Sequence, residues 1–476
     1  MNYEKLELLI NGEWRCGSSS KNEPVINPAT DEVLGLLPHA DSSDLDQALS
    51  SSVDGFHVWR NMAPIERQAI MEKAARLLEV RHEEIAINLT LEMGKPLVES
   101  RLELGVAIGV LRWYAEEGKR AYGRVIPSRI PGVRQMVFKE PVGPVIAFVS
   151  WNFPALNVMR KVAGALAAGC SIIIKASEET PATCIAIARA LTQAGLPAGV
   201  LSLVFGVPAE VSSHLVASPV SRKLSFTGSV PVGAHLQKLA ADTIKRCTLE
   251  LGGHSPVIVF EDCDVESVAK QAVSAKFRNA GQVCVSPTRF YVQESVLDRF
   301  AEAFAEATAK LKIGNGMDAG VEIGPLIARR RVIEMQKFVS NAVDQGAEIM
   351  TGGNHIEGKG AFFEPTVLKN VPESARIMND EPFGPVAPIT SFKDFDDVMA
   401  RANRLSFGLS AYGFTANGAR GRAIAAQIEA GMFGLNSFMI ASPETPFGGV
   451  NHSGYGSEGG IEGLDAYLRT KFVTES

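Results

Sequence analysis

The stretch Phe277-Arg278-Asn279-Ala280-Gly281-Gln282-Val283-Cys284-Val285 places a thiol just behind a turn. Asn279 and Gly281 mark the turn, and the apolar run ending in Arg289-Phe290-Tyr291-Val292 reads as the strand that follows. A thiol held there, beside a glycine that lets another molecule approach the backbone, suits a nucleophile. It equally suits a small buried hydrophobe, so Cys284 needs partners before it means chemistry. Glu250, in Thr248-Leu249-Glu250-Leu251-Gly252-Gly253, is an acid inside an apolar strand that ends at two glycines. Such a carboxylate either pairs structurally or has a pKa raised into the range of a general base. Asn152 lies in a turn before a helix opening at Pro154. It either caps that helix or aims its amide at a developing oxyanion. Lys161, one or two turns into the same helix, is a surface charge or a proton relay.

A second group of residues suits a phosphate-bearing ligand. Phe226-Thr227-Gly228-Ser229-Val230-Pro231-Val232-Gly233 follows a strand and opens a helix. Glycine, a hydroxyl and a helix N-terminus together suit a pyrophosphate, and no Gly-Lys-Ser/Thr follows to make it a nucleotide triphosphate loop. Lys175 and Glu178 come directly after the strand Ser171–Ile174, where doubly wound sheets hold a ribose. A carboxylate there accepts from a free 2′-hydroxyl and repels a 2′-phosphate, so Glu178 favours NAD over NADP. Gly454-Tyr455-Gly456-Ser457-Glu458-Gly459 matches Gly-x-Gly-x-x-Gly literally, but it follows no predicted strand and leaves too little chain for a βαβ unit.

These groups need a scaffold, and 476 residues are enough for two or three domains with sizeable cores. The first third reads as mostly helical: Pro64 to Val80, Arg81 to Met93 and Glu99 to Ala121 carry apolar residues at helical spacing. Val125 to Gln135, with two prolines and a glycine, leads into the extended Met136–Glu140, an arm or edge strand. From Val142, apolar strands alternate with helices: Val145–Val149, Ser171–Ile174, Leu201–Phe205 and Lys223–Phe226. That pattern means a parallel sheet covered on both faces. A second α/β run begins at Pro256, and the tail from Tyr455 suits an interface strand.

Net charge is −6, without long basic runs, which argues against nucleic acid as partner. The six cysteines form no Cys-x-x-Cys pair, which points to a reducing cytoplasm and no metal site. The opening Met1 to Glu7 lacks a basic region, so no signal peptide is read. The uncharged run Pro141–Met159 is broken by Pro141, Pro144, Asn152 and Pro154, so no membrane span is expected.

Taken together, Trp151-Asn152-Phe153-Pro154, Lys175 to Pro181, Phe226 to Ser229, Leu249 to Gly253 and Gly281 to Cys284 resemble the aldehyde dehydrogenase superfamily. Glu381-Pro382-Phe383-Gly384-Pro385-Val386 and Pro446-Phe447-Gly448-Gly449 complete the resemblance, which spans nearly the whole chain. It implies an α/β fold with a Rossmann-type NAD-binding domain (1–121 and 141–251) and an α/β catalytic domain (252–443). An oligomerisation arm and tail (122–140 and 444–476) would join subunits into a homodimer or homotetramer. It also implies that Cys284 attacks an aldehyde, that the Asn152 amide and the Cys284 N–H hold the oxyanion, and that Glu250 activates the hydrolytic water. Trp151, Lys175, Glu178, Gly228, Ser229, Gly233, Glu381 and Phe383 would hold NAD, with NADP less favoured.

Within that superfamily the chain is most similar to succinate-semialdehyde and 2-oxoglutarate-semialdehyde dehydrogenases. Arg160 and Arg278 match positions that grip the substrate's distal carboxylate, and Ser442 matches a third. An arginine fork fits a carboxylate with two hydrogen bonds, although both arginines could instead be spent in ion pairs. Ser150 departs from the resemblance, standing where proline commonly precedes Trp-Asn. Ser286 replaces a second cysteine, so no thiol switch with Cys284 is available there. The alternatives are a dehydrogenase of uncharged or aromatic aldehydes, an enzyme passing the thioester to coenzyme A, and a silent scaffold.

Overall fold

The computed structural model describes residues 3–476; Met1 and Asn2, the first two residues of the stretch read above for a signal peptide, lie outside it. Two hydrophobic cores form around two sheets. The first sheet has eight strands, and its five central ones are parallel. In spatial order these five are Leu201–Val204, Ile172–Lys175, Val145–Phe148, Lys223–Gly228 and Arg246–Leu251. Their residues are nearly all buried, as expected when helices cover both faces. The chain lays down strands to one side of Val145–Phe148 and then returns to the other, so the order reverses between that strand and Lys223–Gly228. Crevices at the carboxyl ends of strands at such a reversal are where α/β proteins bind ligands.

The helices Pro64–Val80, His82–Met93 and Leu97–Glu117 fall where the spacing predicts them, within a few residues. The expectation of a mostly helical first third needs correction, because Leu8–Ile10 and Glu13–Arg15 form a hairpin that edges the first sheet. Three-residue strands carry no periodicity. The available signal was Asn11-Gly12, whose φ values of 52° and 80° suit a tight hairpin turn.

The second sheet has seven strands, ordered Glu348–Thr351, Thr366–Lys369, Val386–Phe392, Pro287–Gln293, Ser255–Val259, Ser410–Phe414 and Met432–Leu435. Its pairs are parallel except the first. A third sheet joins Leu468–Glu475 antiparallel to Arg134–Pro141, with Arg124–Ile126 on the far side. Only part of 444–476 lies there. Gly454–Tyr455 pairs with Leu249 and Glu250 at the edge of the first sheet, and Leu464 and Tyr467 sit in its core. The stretch Gly454–Gly459 therefore follows no βαβ pattern. At Gly454 (φ +104°) a Cβ would come 1.9 Å from the Leu249 carbonyl, so glycine permits close strand approach there.

Helix Ser42–Asn61 touches the first sheet's connections just as closely: a Cβ on Gly55 would come 2.1 Å from the Gly199 carbonyl carbon. Gly55→Ala should therefore lower stability by about 1–3 kcal/mol through overpacking, outweighing the gain in helix propensity of up to ~1 kcal/mol. Thermal unfolding checks this, and an unchanged or raised Tm would mean that the helix backs away freely.

Candidate active site

Cys284 follows three consecutive residues in the left-handed region, Asn279 (φ 50°), Ala280 (φ 52°) and Gly281 (φ 73°). Such a turn persists only where its surroundings determine it, and here they do. The Asn279 N–H donates to Glu99 Oε2 (2.9 Å), and Gln282 Nε2 donates to the Asn279 carbonyl (3.1 Å). Gln282 Oε1 accepts from the Ile327 N–H (2.9 Å), and Tyr412 Oη donates to the Val285 carbonyl (2.6 Å). A Cβ on Gly281 would lie 2.2 Å from the Gly384 carbonyl oxygen, so the turn can be closed only by glycine.

Asn152 is not the cap of the Pro154–Ala168 helix, which begins at Phe153 with no side-chain cap. That helix is capped from outside by Glu103, whose Oε1 accepts from the N–H groups of Ala155 (2.8 Å) and Leu156 (3.1 Å). Glu103 Oε2 takes a hydrogen bond from Lys95 Nζ (2.6 Å), and Lys95 also donates to the Asn152 carbonyl (2.8 Å). The same carbonyl accepts from Asn279 Nδ2 (2.9 Å), which ties Asn152 to the Cys284 turn. Asn152 Nδ2 donates one N–H to the Gln282 carbonyl (3.2 Å), and Asn152 lines the same cavity as Cys284.

Glu250 lies opposite Thr227 on one side and Gly454 on the other, buried, with Oε1 lacking a hydrogen-bond partner. Burial, reinforced by the charge of Glu458, pushes its pKa up to about 7, while Lys161 opposes the shift. The Cys284 thiol is also pushed well above its ordinary range, first by burial and then by Glu250, with Arg160 opposing. At neutral pH Cys284 rests as a thiol beside an acid that titrates near neutrality. Lys161 is no surface charge. It is fully buried, paired with Glu458 and hydrogen-bonded to Thr227 Oγ1 (2.7 Å).

A cavity of about 320 Å³ runs from Cys284, Asn152 and Glu250 along Trp151, Gly228, Ser229, Glu381 and Phe383. Ser229 caps the helix Val230–Ala241, but its hydroxyl makes no capping bond. Glu381 Oε1 accepts from the Gly253 N–H (3.1 Å), and burial pushes this carboxyl up to about 8. Trp151 and Phe383 meet edge to face at 5.5 Å. Gly233 does not line this cavity. It is a packing position, where a Cβ would come 2.4 Å from Leu251 Cδ2. Lys175 and Glu178 form an ion pair outside this cavity, and Glu178 lines a second one of about 570 Å³ with His39, Pro208 and Arg330. Arg330 lines both.

On the other side of Cys284 lies a cavity of about 190 Å³ that contains Arg160, Arg278 and Ser442 among apolar side chains. Cys284 is the one residue common to its lining and that of the 320 Å³ cavity. Arg160 stacks 3.8 Å above the Phe447 ring, and Arg278 lies 5.5 Å from the Phe153 ring. Neither has a carboxylate within ion-pair distance among the described residues. Of the two acids that line this cavity, Glu103 is paired with Lys95, and Glu99 is engaged by the Asn279 N–H and pushed up to about 7 by burial.

Comparison with known proteins agrees with this geometry. The sequence model of the aldehyde dehydrogenase family matches residues 14–473. The chain belongs to the aldehyde dehydrogenase family. It is an oxidoreductase of the aldehyde dehydrogenase fold. It is 47% identical, over 99% of its length and 98% of the relative's, to a 4-(hydroxymethyl)benzenesulfonate dehydrogenase of Comamonas testosteroni. It is 40% identical, over 99% and 98%, to the NADP-dependent succinate-semialdehyde dehydrogenase of Escherichia coli. The solved succinate-semialdehyde dehydrogenase of Burkholderia pseudomallei superposes with a TM-score of 0.98 at 40% identity, covering 99% of this chain and 98% of that one.

Sequence reasoning missed Glu458, Lys95, Glu103 and Asn157. Glu458 sits inside the glycine-rich stretch set aside as a decoy, and its signal was an acid among glycines that allow close approach. Breaking the Lys95–Glu103 pair should destabilise the aldehyde dehydrogenase fold strongly, by about 3–5 kcal/mol for Lys95→Met, because Glu103 is left buried and uncompensated. In thermal unfolding, the double variant Lys95→Met/Glu103→Leu should recover part of that loss. A double variant that loses the full sum would mean that the two residues act independently.

Proposed function

We propose that the protein oxidises a short aldehyde bearing a distal anion, most simply succinate semialdehyde or 2-oxoglutarate semialdehyde, to the acid with NAD. One observation carries this reading: Cys284 stands between a cavity with the groups for a dinucleotide and an apolar cavity holding two arginines without carboxylate partners. Arg160 is buried and Arg278 exposed, and a guanidinium without a carboxylate partner suits an anion brought by the substrate.

The residues fit the dinucleotide. The Ser229 hydroxyl and the open N-terminus of its helix suit the pyrophosphate. Glu381, held by the Gly253 N–H, suits the nicotinamide-side ribose, with Trp151 and Phe383 beside the ring. Lys175 and Glu178 suit the adenine-side ribose, where the carboxylate disfavours a 2′-phosphate. When bound, NAD supplies the hydride acceptor.

In this reading Glu250 takes the Cys284 proton as Sγ adds to the aldehyde carbon. The free Asn152 N–H and the Cys284 backbone N–H receive the oxyanion. Loss of hydride leaves a thioester on Cys284. Glu250, having passed its first proton toward the Lys161–Glu458 pair, takes a proton from water as the water oxygen bonds the thioester carbon; the C–S bond then breaks, and Glu250 returns that proton to the departing Cys284 thiolate. A base placed to activate water argues against transfer to coenzyme A.

A second reading is favoured by the apolar character of the substrate cavity and by the benzenesulfonate relative. Phe153 and Phe447 beside the two arginines would also suit an aryl aldehyde carrying a sulfonate. Reduced-nicotinamide formation separates the readings when succinate semialdehyde, 2-oxoglutarate semialdehyde, 4-sulfobenzaldehyde and hexanal are each offered with NAD and NADP. The anionic aldehydes with NAD should win. A preference for hexanal would end the arginine argument. Arg278→Ala should cost about 1.5–3 kcal/mol in kcat/KM for the anionic aldehydes and spare hexanal.

Glu250 must be ionised to act as a base, so kcat should rise with pH through a midpoint near 7 and level off above it. Glu250→Gln should slow the first burst of reduced cofactor and nearly abolish the turnover after it, because both proton transfers lose their base. A variant with the wild-type burst, turnover and pH profile would assign the base elsewhere.

For assembly, we infer a homodimer or homotetramer through the three-stranded sheet, whose Val125, Phe138 and Phe472 are exposed apolar residues. No helix among the described residues is long and apolar enough to cross a membrane, and the six cysteines are unpaired, which suits a reducing cytoplasm.

A further inference from the structure

Position 150 carries serine, where a proline would fix the backbone entering the Trp151-Asn152 turn. Serine gives that rigidity up, yet the Asn152 side chain is tightly held. Ser150 Oγ donates to Asn152 Oδ1 (2.8 Å). Asn157, one turn into the following helix, donates through Nδ2 to Ser150 Oγ (3.1 Å) and to Asn152 Oδ1 (3.2 Å). The three side chains close a triangle in which Asn152 Oδ1 accepts twice. On its other side, Asn152 Nδ2 spends one N–H on the Gln282 carbonyl. What remains free is a single N–H in the Cys284 cavity.

A carboxamide has one cheap error available to it, a half-turn that exchanges its oxygen and nitrogen. Flipped, Asn152 would present an oxygen lone pair to a developing oxyanion and to the Gln282 carbonyl. We propose that Ser150 and Asn157 are positioning residues that lock the Asn152 carboxamide with its nitrogen toward Cys284, a side-chain lock in place of the proline. Two donors on Oδ1 also polarise the amide, which strengthens the remaining N–H as a donor. The lock joins the two cavities, since Ser150 lines the cofactor side and Asn157 the substrate side. It rests on the reading of Asn152 as the oxyanion donor.

The test is the rate of the first burst of reduced cofactor in full-length Ser150→Ala, Asn157→Leu, Ser150→Thr and Asn152→Ala enzymes, with the NADH dissociation constant and Tm of each. Losing the donor outright in Asn152→Ala should slow the burst roughly 10²–10³-fold. Ser150→Ala and Asn157→Leu should each slow it about 5–30-fold, short of that limit, while KM, NADH affinity and Tm stay near wild type. Ser150→Thr, which keeps the hydroxyl, should restore the rate. The decisive arm is Ser150→Ala placed on Asn152→Ala, where it should slow the burst no further. An equal slowing in both backgrounds, or a wild-type burst in Ser150→Ala, overturns the lock and leaves Asn152 its role. A wild-type burst in Asn152→Ala removes the oxyanion reading and the lock with it.

Discussion

The interaction on which the rest depends is the buried ammonium of Lys95. It has no water to solvate it, so its three protons need acceptors, and the fold supplies Glu103, the Asn152 carbonyl and, 4.0 Å away, the face of Phe153. Burial lowers its pKa and Glu103 opposes that. Each acceptor is itself committed: Glu103 to the first turn of the Pro154 helix, and the Asn152 carbonyl to Asn279 of the Cys284 turn. One cation from the loop after His82–Met93 thereby fixes the amide and the thiol relative to each other, although they come from different cores. Glu99, one turn earlier on the same helix as Glu103, repeats the arrangement by holding the Asn279 N–H.

Around this anchor the acids and bases are sorted by their surroundings. Glu250, Glu99 and Glu381 are all pushed toward or past neutrality by burial. Arg160 and Arg278 line the same space on the other side of Cys284. The cavity of about 190 Å³ thus holds two guanidinium groups without ion-pair partners beside two carboxyls, Glu99 and Glu103, the latter paired with Lys95. Next to the buried Arg160 a single anion is attracted more strongly than it would be in water.

Much of this was legible in the order of residues. The strands around Val145, Ile172, Leu201 and Lys223 announce themselves as apolar runs, and the helices from Pro154 and Pro181 open where a proline fixes the first turn. Cys284, Glu250 and Asn152, which line one cavity, each stand out in the sequence as a polar group in an apolar setting near a glycine or a proline. What could not be read was pairing at a distance. Nothing local links Lys95 to Asn152, or Lys161 to Glu458 nearly three hundred residues later. Asn157 reads as an ordinary helical residue until the fold turns it toward Ser150. The hairpin at Asn11-Gly12 was missed for a different reason, since strands of three residues are too short to show alternation.

The return of the chain at Gly454 has a consequence for how the fold is closed. Residues 454–458 supply the strand beside Glu250 and the carboxylate paired with Lys161, across a sequence separation of 297 residues in the case of Lys161 and Glu458. Contacts so far apart in sequence close long loops and cost more chain entropy than local ones. The Glu250 side of the Cys284 cavity therefore depends on distinctly non-local pairing, the kind that slows folding when it dominates a structure.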